Sequence, residues 1–156
     1  MKDLKYISVI GAGECDAATA RLAREVGSLI ARAGAVLVCG GMGGVMEAAC
    51  RGAKVAGGTT IGILPGLDRR DANDWLDYSV CTGIGHARNL AVAASGAAVI
   101  AIGGEFGTLS EIGFARKCGR PVITLESWVI KKDAGTLPGL TPAATPAEAV
   151  RMALDQ

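Results

Sequence analysis

Aromatic side chains are scarce: two Trp, two Tyr and two Phe among 156 residues. Histidine occurs once, at His86, so a multi-histidine metal centre is excluded. Charge of one sign is missing too. Lys and Arg total 16 against 15 Asp and Glu, which argues against a basic nucleic-acid binder and against a disordered tail. No long apolar run is present. The longest uncharged stretch, Asn89 to Gly104, is 16 residues and includes Ser95, Gly96 and Gly103. That is shorter and more polar than a membrane span of ~20 residues. The five cysteines, Cys15, Cys39, Cys50, Cys81 and Cys118, include no CxxC spacing, so neither a zinc ribbon nor a disulfide framework is indicated. Met1-Lys2-Asp3 leads into a strand-like run rather than a signal peptide, and the expected compartment is the cytosol.

What is abundant is glycine, 23 residues, near twice the usual share of ~7%. The glycines have no fixed period and cluster at a few places. Between the clusters, apolar runs of strand length alternate with helical patterns. Strands are expected at Tyr6–Ile10, Ala35–Cys39, Thr60–Leu64, Ala97–Ile102 and Pro121–Leu125. Tyr78–Cys81 is a further short strand whose place in a sheet is open. Asp16 caps a helix with Leu22, Val26, Leu29 and Ile30 on its apolar face, stopped at Gly34. Further helices are expected over 45–55, 86–95, 108–118 and 146–154. Thr145-Pro146-Ala147-Glu148 reads as a capping box with proline at the first helical position. Residues 126–144 are turn-rich. Strands apolar on both faces, alternating with helices, predict a doubly wound α/β domain over 1–156. Its sheet is Rossmann-like and mostly parallel, with helices on both faces.

In such a sheet ligands bind at the carboxyl edge, where strand order reverses. Four glycine clusters follow strands and open helices: Gly11–Gly13, Gly40–Gly44, Gly83–Gly85 and Gly103–Gly107. Glycine lets backbone N–H groups approach a ligand, and helix N-termini favour anions. Converging on one edge, the clusters predict a site for a small phosphorylated molecule; singly, each would serve only a tight turn. Neither GxxxxGK[ST] nor GxGxxG is present.

Arg88 stands near the start of an apolar helix, where a cation opposes the helix dipole. It either binds an anion or forms a structural ion pair. Glu111 completes a Thr108-Leu109-Ser110-Glu111 capping box, and equally could serve a ligand as acid, base or acceptor. The two could also pair with each other. His86 reads as a rim residue, with Glu47 and Glu105 as lesser candidates. The loop of residues 68–77, rich in Asp around Trp75, is either a solvated connection or a lid over the site.

Gly103-Gly104-Glu105-Phe106-Gly107-Thr108-Leu109-Ser110-Glu111 resembles the PGGxGTxxE signature of the LONELY GUY superfamily. Gly104, Gly107, Thr108 and Glu111 match it; Gly103 replaces its proline and Glu105 its second glycine. The family's arginine, usually followed by lysine, is matched by Arg88, followed here by Asn89. Residues 57–66, 82–89 and 40–47 are more similar still to the molybdenum cofactor carrier proteins. The resemblance implies a Rossmann-like fold and a homodimer or homotetramer, with no nucleic-acid or membrane partner. It implies one of two activities. The carriers bind the phosphorylated pterin of the molybdenum cofactor, which brings its own metal, so no protein metal ligands and no covalent cofactor are expected. The enzymes hydrolyse the N-glycosidic bond of nucleoside 5′-monophosphates, releasing base and ribose 5-phosphate. Arg88 and Glu111 would carry that chemistry. Gly11, Gly13, Gly40, Gly41, Gly43, Gly44, Met46, Gly104, Gly107 and Thr108 would line the ligand site, with backbone N–H groups near Gly43-Gly44 and Gly107-Thr108 holding the phosphate. Binding without turnover is the expected function, and phosphoribohydrolase the alternative.

Overall fold

Runs of Val, Ile and Leu without polar alternation can be stable strands only if both their faces are covered. A computed structural model of the chain, which describes residues 4–133 and 135–156, shows this arrangement. The Met1-Lys2-Asp3 segment lies outside the described residues. Six strands follow the expected pattern: β1 (Tyr6–Gly11), β2 (Val36–Cys39), β3 (Thr59–Leu64), β4 (Tyr78–Cys81), β5 (Ala98–Ile102) and β6 (Val122–Leu125). Every residue of β2, β5 and β6 is buried. The turn-rich stretch adds a two-stranded antiparallel ribbon, β7 (Lys131–Lys132) with β8 (Gly135–Thr136), and a short strand β9 (Leu140–Pro142).

The main sheet has seven strands in the order β4-β3-β2-β1-β5-β6-β9, and every pairing in it is parallel. β4, unplaced by sequence, is one edge; β9 is the other. The helices are α1 (Ala17–Arg32), α2 (Val45–Val55), α3 (Arg88–Ser95), α4 (Phe106–Lys117) and α5 (Pro146–Leu154). One core packs α1, α2 and α5 on Ile7, Val9, Leu37 and Ile100. The other packs α3 and α4 on Ile10, Val38, Val99 and Ala101. Helices thus cover both faces, as the doubly wound class requires.

Local chemistry sets the helix ends. The Asp16 carboxylate accepts from the Thr19 N–H at 2.7 Å. Thr145 Oγ1 accepts from the Glu148 N–H at 3.2 Å, and Glu148 accepts in return from the Ala144 N–H at 2.7 Å. This is a capping box reaching one residue further back than usual. Two sequence readings need correction. The helix expected from Thr108 begins at Phe106, with Glu105 at its N-cap and no side-chain cap, so the Thr108–Glu111 capping box does not form. The cause is the glycine turn: Gly103 and Gly104 both take positive φ (53° and 104°) and start the helix early. Second, the apolar helix α3, expected to be buried, is not buried all round: Leu90 is 43% exposed, because the helix lies in a single layer over the sheet and its outer face meets solvent.

Helices α1 and α2 meet backbone to backbone. A Cβ on Gly27 would strike the Ala49 carbonyl, and one on Gly52 the Arg24 carbonyl. Neither obstacle is a movable side chain. We expect Gly27→Ala to destabilise the protein by about 1–3 kcal/mol, from overpacking against fixed backbone. Chemical denaturation reads this as a lower midpoint; an unchanged midpoint would mean the helices separate freely.

Candidate functional site

Strand order reverses at β1. The chain builds outward through β2, β3 and β4, then returns to set β5 on β1's other side. The crevice at that reversal lies at the carboxyl ends of the strands. A cavity of about 200 Å³ occupies it. Gly11, Ala12 and Gly13 approach from the end of β1 and Gly40 from the end of β2. Arg88 and Asn89 come from the start of α3 and His86 from the turn before it; Gly107, Thr108 and Glu111 come from the start of α4 and Glu105 from its N-cap. Met46 lines it from α2. Because α4 has no side-chain cap, the N–H groups of its first turn keep their capacity for an outside acceptor.

Arg88 and Glu111, 23 positions apart, face each other at the cavity wall, only 7% and 6% exposed. Arg88 Nη1 lies 3.7 Å from Glu111 Oε1. That is an ion pair but too long for a hydrogen bond, whose usual span is about 2.7–3.2 Å. Nη1 instead donates to Asn89 Oδ1 at 2.7 Å. Arg88 Nε and Thr108 Oγ1 are both buried with no hydrogen-bond partner among the described residues. Such groups are uncommon in native interiors. Burial pushes the Glu111 carboxyl up to about 7, with Arg88 opposing the rise. Burial likewise lowers the Arg88 pKa, while Glu111 and Cys39 counteract it. The direction agrees with the geometry: a carboxyl that is desolvated but receives no hydrogen bond is poorly stabilised as an anion.

Gly40 has a specific steric role. A Cβ there would lie 2.6 Å from Arg88 Nη1 and 2.7 Å from Met46 Sδ. The guanidinium therefore lies directly over the end of β2.

The structure brings Arg88, Glu111, Gly11, Gly13, Gly40, Met46, Gly107 and Thr108 to one cavity. Gly41, Gly43, Gly44 and Gly104 do not line it. Gly41 (φ 76°) turns toward Leu64 and Leu76. Gly44 packs against the backbone of Ala12 and Gly13, while the Val45 N–H is taken by the Ala12 carbonyl at 3.0 Å. Gly43 faces the Gly13 carbonyl, and Gly104 makes room for Thr108. These four shape the turns that bring other residues to the cavity. Asn89, Val9, Ile10 and Ala12 also line it and were not singled out by sequence. Asn89 carried a signal, as the polar neighbour of Arg88 opening an apolar helix; the others are read only as core or turn.

The loop of residues 68–77 is not a lid over this cavity. The Asn73 N–H donates to the Gly41 carbonyl at 2.9 Å and its Nδ2 to the Met42 carbonyl at 2.9 Å. Asp77 accepts from the Thr60 N–H at 2.9 Å, and Arg51 lies 5.3 Å over the Trp75 ring. These contacts fasten the loop outside the glycine turn.

The same architecture recurs in solved structures. The molybdenum cofactor binding protein of Rippkaea orientalis superposes with a TM-score of 0.88 at 35% identity, covering 99% of this chain and 98% of that one. The molybdenum cofactor carrier protein of Chlamydomonas reinhardtii gives 0.85 at 34% identity, over 98% and 99%. An uncharacterized protein of Archaeoglobus fulgidus is 47% identical over 148 residues, which is 94% of this chain and 93% of its own. The family model of the SLOG cluster4 family matches residues 4–150. By that match, spanning nearly its whole length, the chain belongs to the SLOG cluster4 family.

Proposed function

We propose that this protein binds a phosphorylated pterin-like or nucleotide-like small molecule at the β1/β5 crevice. In this reading it is a binding protein of the molybdenum-cofactor-carrier kind. The observation that carries it is the Arg88–Glu111 pair: two buried ionisable groups, not hydrogen-bonded to each other, at the strand-order reversal. As a purely structural pair it would be poor, since buried charges need hydrogen bonds to offset desolvation. An anionic ligand would supply acceptors for Arg88 and favour the neutral acid form of Glu111. Its phosphate would accept from the first-turn N–H groups of α4 around Gly107 and Thr108, and from Arg88. Thr108 Oγ1 would donate a further bond. At about 200 Å³ the cavity is below the ~300–1,000 Å³ usual for a drug-sized ligand. It suits the phosphate-bearing end, with the planar ring reaching outward past Gly11 and Gly13.

The residues present fit the molybdenum cofactor in this sense: the orphaned Arg88 Nε and Thr108 Oγ1 match phosphate oxygens. When bound, the cofactor would bring its own metal, and the protein's part is to hold the phosphate and exclude water. Among the described residues no group of three or more His, Cys, Asp or Glu side chains could hold a metal ion. No helix there is long and apolar enough to cross a membrane. We also infer self-association, as a homodimer or homotetramer. Tyr78 and Val80 on edge strand β4 are 64% and 53% exposed, and Leu67 and Ile84 nearby are exposed as well.

The alternative, phosphoribohydrolase activity, is favoured by one observation: burial brings Glu111 to about 7, the range suited to a general acid or base. One experiment separates the readings. The protein is titrated anaerobically with cofactor released from a purified molybdoenzyme, and separately incubated with AMP. The binding reading expects saturable uptake of the cofactor and intact AMP. Free adenine from AMP, lost in Glu111→Gln, would establish the hydrolase instead.

A further inference from the structure

Cys39 ends β2, immediately before Gly40, and Cys50 lies on α2. Both are 0% exposed, and their sulfurs are 3.4 Å apart. Neither belongs to the ligand-binding reading. Either sulfur can donate in that contact. The Gly41 N–H donates to Cys39 Sγ at 3.3 Å, a donor that would favour a thiolate on Cys39. Arg88, packed over Gly40, adds positive charge on the Cys39 side.

We propose that Cys39 and Cys50 form an oxidisable dithiol, closed to a disulfide in the folded protein by a small peroxide. A disulfide needs sulfurs about 2.0 Å apart, so closure requires the two sulfurs to approach by about 1.4 Å. The steps balance. The Cys39 sulfur, as thiolate, attacks one peroxide oxygen, the O–O bond breaks, and hydroxide leaves; it takes up the Cys39 proton as water. Cys39 is now a sulfenic acid. Cys50 attacks that sulfur, the S–O bond breaks, and a second water carries off the Cys50 proton. Two thiols and one hydrogen peroxide give one disulfide and two waters. The order follows from the electrostatics. The Cys50 contact, the Gly41 N–H and Arg88 together hold the Cys39 pKa below that of an ordinary thiol, while the contact with Cys39 and burial push Cys50 up. The thiolate is the nucleophile, so Cys39 reacts first and Cys50 resolves. Gly40, the residue after Cys39, and Met46 line the cavity at the end of β2.

The chain provides a clean readout. Cleavage after Arg32 and Arg51 releases residues 33–51, which contain Cys39 and Cys50 and no other cysteine. The folded wild-type protein is treated with hydrogen peroxide, quenched with catalase, denatured in an alkylating agent and digested. The expected peptide is two hydrogens lighter, unalkylated on both cysteines, and restored by a thiol reductant. Oxygen gained at Met42 or Met46 raises the mass but leaves the missing hydrogens visible in fragments. Alkylation of both cysteines after peroxide, or separate sulfinic acids with no link, would overturn the proposal. In Cys50→Ser the sulfenic acid should persist on residue 39 and be trapped by a cyclic 1,3-dione; trapping absent there would overturn the assigned order.

Discussion

Arg88→Met should lose ligand binding without losing stability. Arg88 is 7% exposed, makes one side-chain hydrogen bond, to Asn89, and leaves Nε unpaired. Its pairing with Glu111, at 3.7 Å, offsets little of the desolvation of either group. Replacing a buried, incompletely paired ion with an apolar side chain of similar length is often neutral or stabilising. The usual penalty for stranding the partner charge is reduced here, because Glu111 already tends toward the neutral acid and can take up a proton. Binding is another matter. Removing the cation that faces a ligand phosphate should cost about 2–5 kcal/mol, roughly 30-fold to several thousand-fold in affinity. Calorimetric titration with cofactor released from a molybdoenzyme measures the loss, and thermal unfolding the stability. A variant that binds like wild type would remove Arg88 from the site. A variant that unfolds far below wild type would make the pair a structural one.

Glu111 should make stability and binding depend on pH in the neutral range. Its folded-state pKa is raised from 4.5 to about 7 by burial. Between those values the folded protein holds a proton that the unfolded chain has released. Stability therefore falls as pH rises from about 4.5 to about 7, and is level above that. The full drop is about 3 kcal/mol at most, from about 1.4 kcal/mol per unit. In Glu111→Gln this slope should vanish, and the variant should be more stable than wild type at pH 8. The sign for ligand binding follows from the same group. An anionic phosphate near Arg88 favours neutral Glu111, so affinity should weaken as pH rises above about 7 in wild type. It should stay level in Glu111→Gln. Denaturant midpoints and titrations from pH 5 to 8.5 on both proteins supply the comparison. Parallel wild-type and variant profiles would mean that another group governs the range.

Much of this was legible in the sequence because α/β architecture writes itself in simple periods. Buried parallel strands are apolar on both faces, so the runs ending at Ile10, Cys39 and Ile102 stood out. Glycine clusters after those runs point to the sheet edge where the cavity lies. Arg88 and Glu111 were identifiable because each sits oddly for its element: a cation opening an apolar helix, a carboxyl beside a glycine turn. That they face each other depends on α3 and α4 lying side by side on one sheet face, which no local pattern encodes. The capping box at Thr108 was misread because the positive-φ glycines at 103 and 104 start α4 two residues earlier. Gly41, Gly43 and Gly44 share one motif with Gly40, yet only Gly40 reaches the cavity; sequence does not show which way a turn faces. The Cys39–Cys50 contact was invisible for a related reason. The cysteines are eleven positions apart across a strand, a turn and part of a helix, a spacing with no characteristic geometry.

The most direct test is native mass spectrometry of the protein purified from cells that make the molybdenum cofactor, beside Arg88→Met prepared identically. The expected result is a phosphorus-containing small molecule bound to wild type and absent from the variant. No adduct on wild type, or the same adduct on both proteins, would contradict a phosphate site built around Arg88.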